Sequence, residues 1–107
     1  YVDGGNDLSG FDCFGLVRHV MKVGLGLRLP EKPFSWRKYG AVLPRETEVA
    51  RYDIIFFSMN PLGLTDHIGI AVSAADFLHA DKLCGQVVCE ALIRRRHIIK
   101  AVGRVKQ

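Results

Sequence analysis

The stretch from Asp12 to Met21 limits the possible folds more than any other part of the chain. Before it, Tyr1 to Phe11 is rich in Gly, Asn, Asp and Ser, the punctuation of irregular backbone. Within it, Cys13, Leu16, Val17, Val20 and Met21 recur at spacings of three and four, which puts them on one helical face. Asp12 is placed to cap that helix, its carboxylate accepting from an orphan N–H of the first turn. Cys13 then occupies the first helical position. Unpaired N–H groups and the positive end of the helix dipole favour thiolate there, and thiolate is the nucleophilic form. The stretch alone does not choose between a reactive thiol and a small buried hydrophobe, the ordinary role of free cysteine.

The rest of the chain supplies short strands. The helix is expected to end near Gly24, and Leu25 to Pro30, with two glycines and a proline, leaves it as a connection. Glu31 to Arg51 reads as irregular, broken by Pro33, Gly40 and Pro44. Phe34, Trp36 and Tyr39 anchor it, and 35–39 suits a short helical turn. Those aromatics either pack a long loop on the core or wall a substrate groove. Strands are predicted over 53–57, 67–72, 77–80, 86–93 and 98–105, with short turns between most of them. Consecutive strands on short turns imply an antiparallel sheet. A helical half followed by a sheet half is an α+β fold of about five strands, with the helix start facing the sheet.

Composition narrows the class. The 107 residues are 49% hydrophobic and correspond to one domain, 1–107, able to bury a core without staples. No apolar run approaches the roughly 20 residues of a bilayer span. No basic start followed by an apolar core opens the chain, and Tyr1 falls inside a motif, as in a mature or excised piece. The net charge of +4, from 15 basic and 11 acidic residues, suits an anionic partner such as a wall polymer. The run Arg94-Arg95-Arg96-His97 reads as a solvated strand edge. A nucleic-acid surface would interleave aromatics with these charges, and none lies between Leu92 and Gln107. Cys84 and Cys89 are five apart, not a zinc spacing, and flank a turn at Gly85. A disulfide between them is not expected, and Cys13 is left unpaired in either case.

Four histidines occur, and two matter. His19 lies mid-helix on another face from Cys13, and His97 follows three arginines. His67 opens one predicted strand and His79 lies in the next. A turn centred near 74–75 puts His79 opposite about residue 70, with His67 one or two steps along, so the rings can meet. Cysteine-dependent hydrolysis needs a thiolate, a base that later protonates the leaving amine, and a polar group that orients the base. Cys13, His67 and His79 can fill these roles in that order, with N–H groups at the helix start, including that of Cys13, meeting the oxyanion. Each histidine taken alone is equally a hydrogen-bonded structural residue. Cys13, Asp66, His67 and His79 also carry zinc-binding atoms, but no C-x-x-C or H-E-x-x-H pair occurs, and no metal or other cofactor is expected.

These residues together resemble the NlpC-type cysteine peptidases of bacterial cell walls. Tyr1-Val2-Asp3-Gly4-Gly5 is similar to the family's Tyr-x-x-Gly-Gly lead-in, and Asp12-Cys13-Phe14-Gly15-Leu16-Val17 to its Asp-Cys-Ser-Gly-Leu-Val nucleophile motif. His67-Ile68-Gly69-Ile70 is similar to its His-Val-Gly-Ile base motif, and Phe77-Leu78-His79-Ala80 to the segment with the third polar residue. Asp53 to Phe57 is similar to the strand that follows Pro-Gly in the family. The resemblance implies a papain-like fold and hydrolysis of an amide bond in peptidoglycan stem peptides, often one between D-glutamate and a diamino acid. It implies Cys13 as nucleophile, His67 as base and His79 as orienting residue. Tyr1 would help position the carbonyl, and Asp12 would have a substrate-amine or structural role. It implies no cofactor, a secreted, periplasmic or virion-associated location, and a tail or secretion assembly as a further partner.

There are departures. Phe14 replaces the usual Ser, removing a hydroxyl that can hold a substrate's amine. Arg51-Tyr52 replaces Pro-Gly, and Asp3 a common Trp. The helix that usually precedes the tyrosine is absent from this sequence. A non-catalytic tail or wall-binding module, and a toxin amidase or acyltransferase on another substrate, fit the same residues.

Overall fold

In a computed structural model the described residues are 6–7, 10–30, 36–58, 67–81 and 85–106. A two-stranded ribbon, β1 (Asn6–Asp7) and β2 (Gly10–Phe11), leads into the helix α1 (Cys13–Leu25). A 3₁₀ turn, Trp36–Lys38, precedes six strands: β3 (Gly40–Pro44), β4 (Ile54–Phe57), β5 (His67–Ala71), β6 (Asp76–Asp81), β7 (Gln86–Ala91) and β8 (Ile99–Val105). They form one antiparallel sheet in the order β3-β8-β4-β5-β6-β7. The expected α+β architecture of a helix on an antiparallel sheet is the one observed.

The helix begins where its cap dictates. Asp12 has extended backbone, and its Oδ1 accepts from the Gly15 N–H at 2.6 Å. The helix runs to Leu25, slightly past the expected end near Gly24. Gly26, at φ 67°, is the residue that closes it, its N–H donating to the Lys22 carbonyl.

The centre of the sheet is buried on both faces. Val17 and Met21 of α1 pack with Leu29, Trp36, Ile54 and Ile70. Ile55, Phe57, Phe77, Leu92, Ile99 and Val102 form a second cluster. Ile54 and Ile55 fall in different clusters because successive strand residues face opposite ways. This double burial explains why Ile54 to Phe57 is a continuous apolar run rather than an alternation.

Two strand boundaries are corrected. Gly40–Pro44, read as part of an irregular segment, pairs along its length with β8, so the sheet expected to have about five strands has six among the described residues. Pro44 is tolerated because it ends an edge strand. Gly40 is required by contact: a Cβ there would lie 2.1 Å from the Arg104 carbonyl oxygen. The predicted strand 86–93 stops at Ala91, where 3₁₀ turns over Leu92–Arg94 and Arg96–Ile98 carry the chain to β8. Trp36 and Tyr39, anchors of the irregular segment, pack on the helix-side cluster, and Trp36 Nε1 donates to the Ala41 carbonyl at 3.1 Å. Phe34 lies outside the described residues.

An ion pair between a buried carboxylate and a partly exposed arginine ties β8 to the start of β4. Asp53 is 2% exposed, and the Arg104 guanidinium reaches both its oxygens, at 3.1 and 2.7 Å. The Ala50 N–H also donates to it. Arg104→Met leaves a buried carboxylate with that one amide. It should lower stability by about 2–3 kcal/mol, less than the roughly 3–5 kcal/mol of a fully enclosed pair because the arginine is partly exposed. Urea denaturation followed by circular dichroism measures the loss.

Candidate active site

Cys13 sits where the sequence places it, at the first position of α1, and it is partly buried. The amides of Phe14 and of Cys13 itself face the sulfur, and so does the amide of Ile68 in β5. These three donors favour the thiolate. Burial opposes them and is the larger effect, so the thiol is held above its ordinary value, with the Asp12 carboxylate pushing the same way. The helix start thus favours the thiolate, as its sequence position suggests, while desolvation acts against the amides and is the larger influence.

His67 immediately precedes the strand residue whose amide meets the sulfur. Its Nε2 lies 2.9 Å from Nδ1 of His79, with the rings nearly perpendicular. The register that makes this contact is close to that expected. Ile70 pairs with Leu78, so the next step along the ladder puts His79 opposite Gly69, with His67 two residues along. His67 and Gly69 share a face of β5, so both imidazoles stand on the same side of the sheet.

Aromatic rings hold the pair. Phe57, opposite His67 in the ladder, has its ring 5.7 Å from that imidazole. Phe77 stacks on His79 at 4.9 Å and touches Phe57 at 5.2 Å. Gly69 makes room for this: a Cβ there would lie 2.8 Å from the Phe77 ring. His79 is 2% exposed.

Two residues beyond those predicted join the site. Nε2 of His79 lies 3.0 Å from Oε1 of Glu90 in β7. Arg95, between the two 3₁₀ turns, donates to both carboxylate oxygens, at 2.9 and 3.1 Å. Arg95 thus points inward from the basic run that the sequence suggested was solvated, whereas Arg94, Arg96 and His97 are exposed. Glu90 is held below the usual carboxylate range, first by its hydrogen bonds from Arg95 and with a further contribution from His79. With its folded value depressed, the stabilisation it gives is present above the unfolded value of 4.5 and is lost as pH falls through the folded one.

Of the other predicted residues, Asp12 is the helix cap. Tyr1, Asp3, Asp66 and Cys84 lie outside the described residues. Cys89 is exposed and free, so it forms no disulfide. Among the described residues no helix is long and apolar enough to cross a membrane.

The NlpC/P60 family matches residues 1–104. This chain belongs to the NlpC/P60 family. It is 34% identical over 87 residues to a protein named probable endopeptidase from Haemophilus influenzae, covering 81% of this chain and 53% of that one. It is 32% identical over 107 residues to the peptidoglycan endopeptidase RipB of Mycobacterium tuberculosis, covering 97% of this chain and 41% of RipB. The NlpC/P60 domain of the peptidoglycan hydrolase SagA superposes with a TM-score of 0.77 at 25% identity, over 98% of this chain and 86% of that one. The chain spans about half the length, or less, of the curated relatives it matches.

The opposed influences on Cys13 can be separated by substitution. Asp12→Asn keeps an N-cap acceptor but removes the charge that raises the thiol's pKa. It should speed iodoacetamide labelling of Cys13 a few-fold at pH 7 by enlarging the thiolate fraction. The labelling rate against pH, followed by mass spectrometry, checks this.

Proposed function

We propose that this domain is a cysteine peptidase that cuts an amide bond in peptidoglycan stem peptides. Cys13 is the nucleophile, His67 the base and His79 the residue that orients it. The observation that carries this reading is the 2.9 Å contact between the His67 and His79 rings, at the strand position beside the amide that faces the Cys13 sulfur. Relatives named murein DD-endopeptidase and peptidoglycan endopeptidase support the substrate class.

In this mechanism His67 removes the Cys13 proton as the sulfur attacks the carbonyl carbon. The developing oxyanion is met by N–H groups at the helix start, where no reorganisation is needed. The tetrahedral intermediate collapses, the C–N bond breaks and the amine leaves with the proton from His67. Water, deprotonated by His67, then attacks the thioester and releases a carboxylate and the free thiol. Tyr1 would position the carbonyl, and Asp12 is kept for the helix cap. Within the stem peptide, the bond between D-glutamate and the diamino acid is the one the family resemblance favours. The aromatic Phe14 in place of a serine argues for weaker dependence on a free N-terminal amine.

One observation favours a second reading, a wall-binding or tail module that kept the fold without the activity: burial holds the Cys13 thiol above its ordinary value. The two readings separate on purified peptidoglycan fragments, with products identified by mass spectrometry. The peptidase reading expects cleavage by the native chain and a loss of at least about 10³-fold in Cys13→Ala. Cleavage that survives Cys13→Ala, or none by the native chain, overturns it. The product masses identify the bond.

A further inference from the structure

Donor and acceptor roles can be assigned along the chain that ends at Glu90. An ionised carboxylate only accepts, and Glu90 is ionised through the neutral range because Arg95 binds both its oxygens. His79 must therefore donate from Nε2. A neutral imidazole has one N–H, so Nδ1 of His79 is an acceptor. His67 must then donate to it from Nε2, which makes Nδ1 the unprotonated nitrogen of His67. We propose that Glu90, held by Arg95, is a positioning residue that sets the tautomers of both imidazoles in series and so leaves Nδ1 of His67 as the atom that takes the Cys13 proton.

This rests on the reading of His67 as the base. It follows from β-sheet geometry: Glu90 is two residues from Val88, the ladder partner of His79, and so is its diagonal neighbour on the same face. Among the described residues, the groups around Glu90 are His79 from β6, Arg95 from the turn after β7, and Asp81, whose carboxylate lies within 4.8 Å of the His79 and Glu90 atoms. When His67 takes up a proton, its Nε2–H bond to His79 strengthens, and the Glu90 charge lies two bonds along the same chain. The burial of His79 keeps water from supplying a competing donor or acceptor to this relay.

The test uses the native chain, Glu90→Gln and Glu90→Met, labelled with ¹⁵N-histidine. Two-bond ¹H–¹⁵N correlation spectra, above the imidazolium titration, report which nitrogen of each ring carries the proton. The native chain should show both His67 and His79 protonated on Nε2. Glu90→Gln, which keeps an oxygen acceptor, should retain that pattern. Glu90→Met should show mixed tautomers at both rings. On wall peptides Glu90→Met should lower kcat about 10- to 100-fold with KM unchanged, since Glu90 lies beyond the ring that touches the base. A wrong tautomer at a directly contacting group costs up to about 10⁴-fold. Glu90→Gln should recover most of that loss, a rescue that mere packing of the side chain would not explain. Native His67 protonated on Nδ1, or native tautomers and kcat in Glu90→Met, overturns the proposal. If Glu90→Met does not fold, the native spectrum and Glu90→Gln decide it. A native chain without peptidase activity defeats the reading of the site but leaves the tautomer assignment to be judged from the spectra alone.

Discussion

The hydrogen bond between the two imidazoles depends on a strand register that tolerates no slip. His67 and His79 meet because Ile70 pairs with Leu78, which puts both histidines on one face. A shift of one residue would turn one ring to the helix side, where Ile70 and Leu78 now pack. That register is held by more than the ladder. Ile70 is fully buried against α1 and Phe77 is fully buried on the other face, so slippage would exchange apolar groups for polar ones in two cores at once. The polar pair is thus positioned by apolar packing on either side of it.

Cys13 is subject to a different balance. A cysteine at a helix start has amides to stabilise its thiolate, yet the packing that fixes the helix also removes water from the sulfur. Burial prevails, and the thiol rests above its ordinary value. On the proposed reading this is a division of labour. The amides face the place where negative charge develops, and the proton leaves only when a neutral imidazole can receive it. A tautomer fixed from Glu90 then matters more than it would beside a thiol that is already ionised.

Much of this was legible in the sequence where local rules and tertiary packing agree. The cap at Asp12, the helix face from Cys13 to Met21 and the runs Ile54–Phe57 and His67–Ala71 each satisfy a local preference and are buried accordingly. β3 was hidden because Gly40 and Pro44 read locally as breakers. Each has a tertiary reason: close approach to β8 for the glycine, and an edge position for the proline. Glu90 and Arg95 were hidden for another reason. Their roles arise from a diagonal cross-strand contact and a turn that reverses one arginine of a basic run, and neither leaves a periodic trace. The helix-dipole argument at Cys13 was sound in sign, but desolvation depends on what surrounds the sulfur in three dimensions.

The strand segment His67-Ile68 joins the two halves of the site. Its alternation sends the Ile68 side chain to the helix-side cluster while His67 stands with Phe57 on the other face. The same segment offers the Ile68 amide to the Cys13 sulfur. On the proposed reading, a helix carries the nucleophile and a sheet the base without a long positioning loop, because one stretch of backbone touches both. Displacing α1 relative to β5 would have to disturb Val17 and Met21, both fully buried, before it changed that contact. The stiffness of the site is therefore inherited from the core beneath it, and the polar chain running out to Arg95 has to supply only the placement of protons.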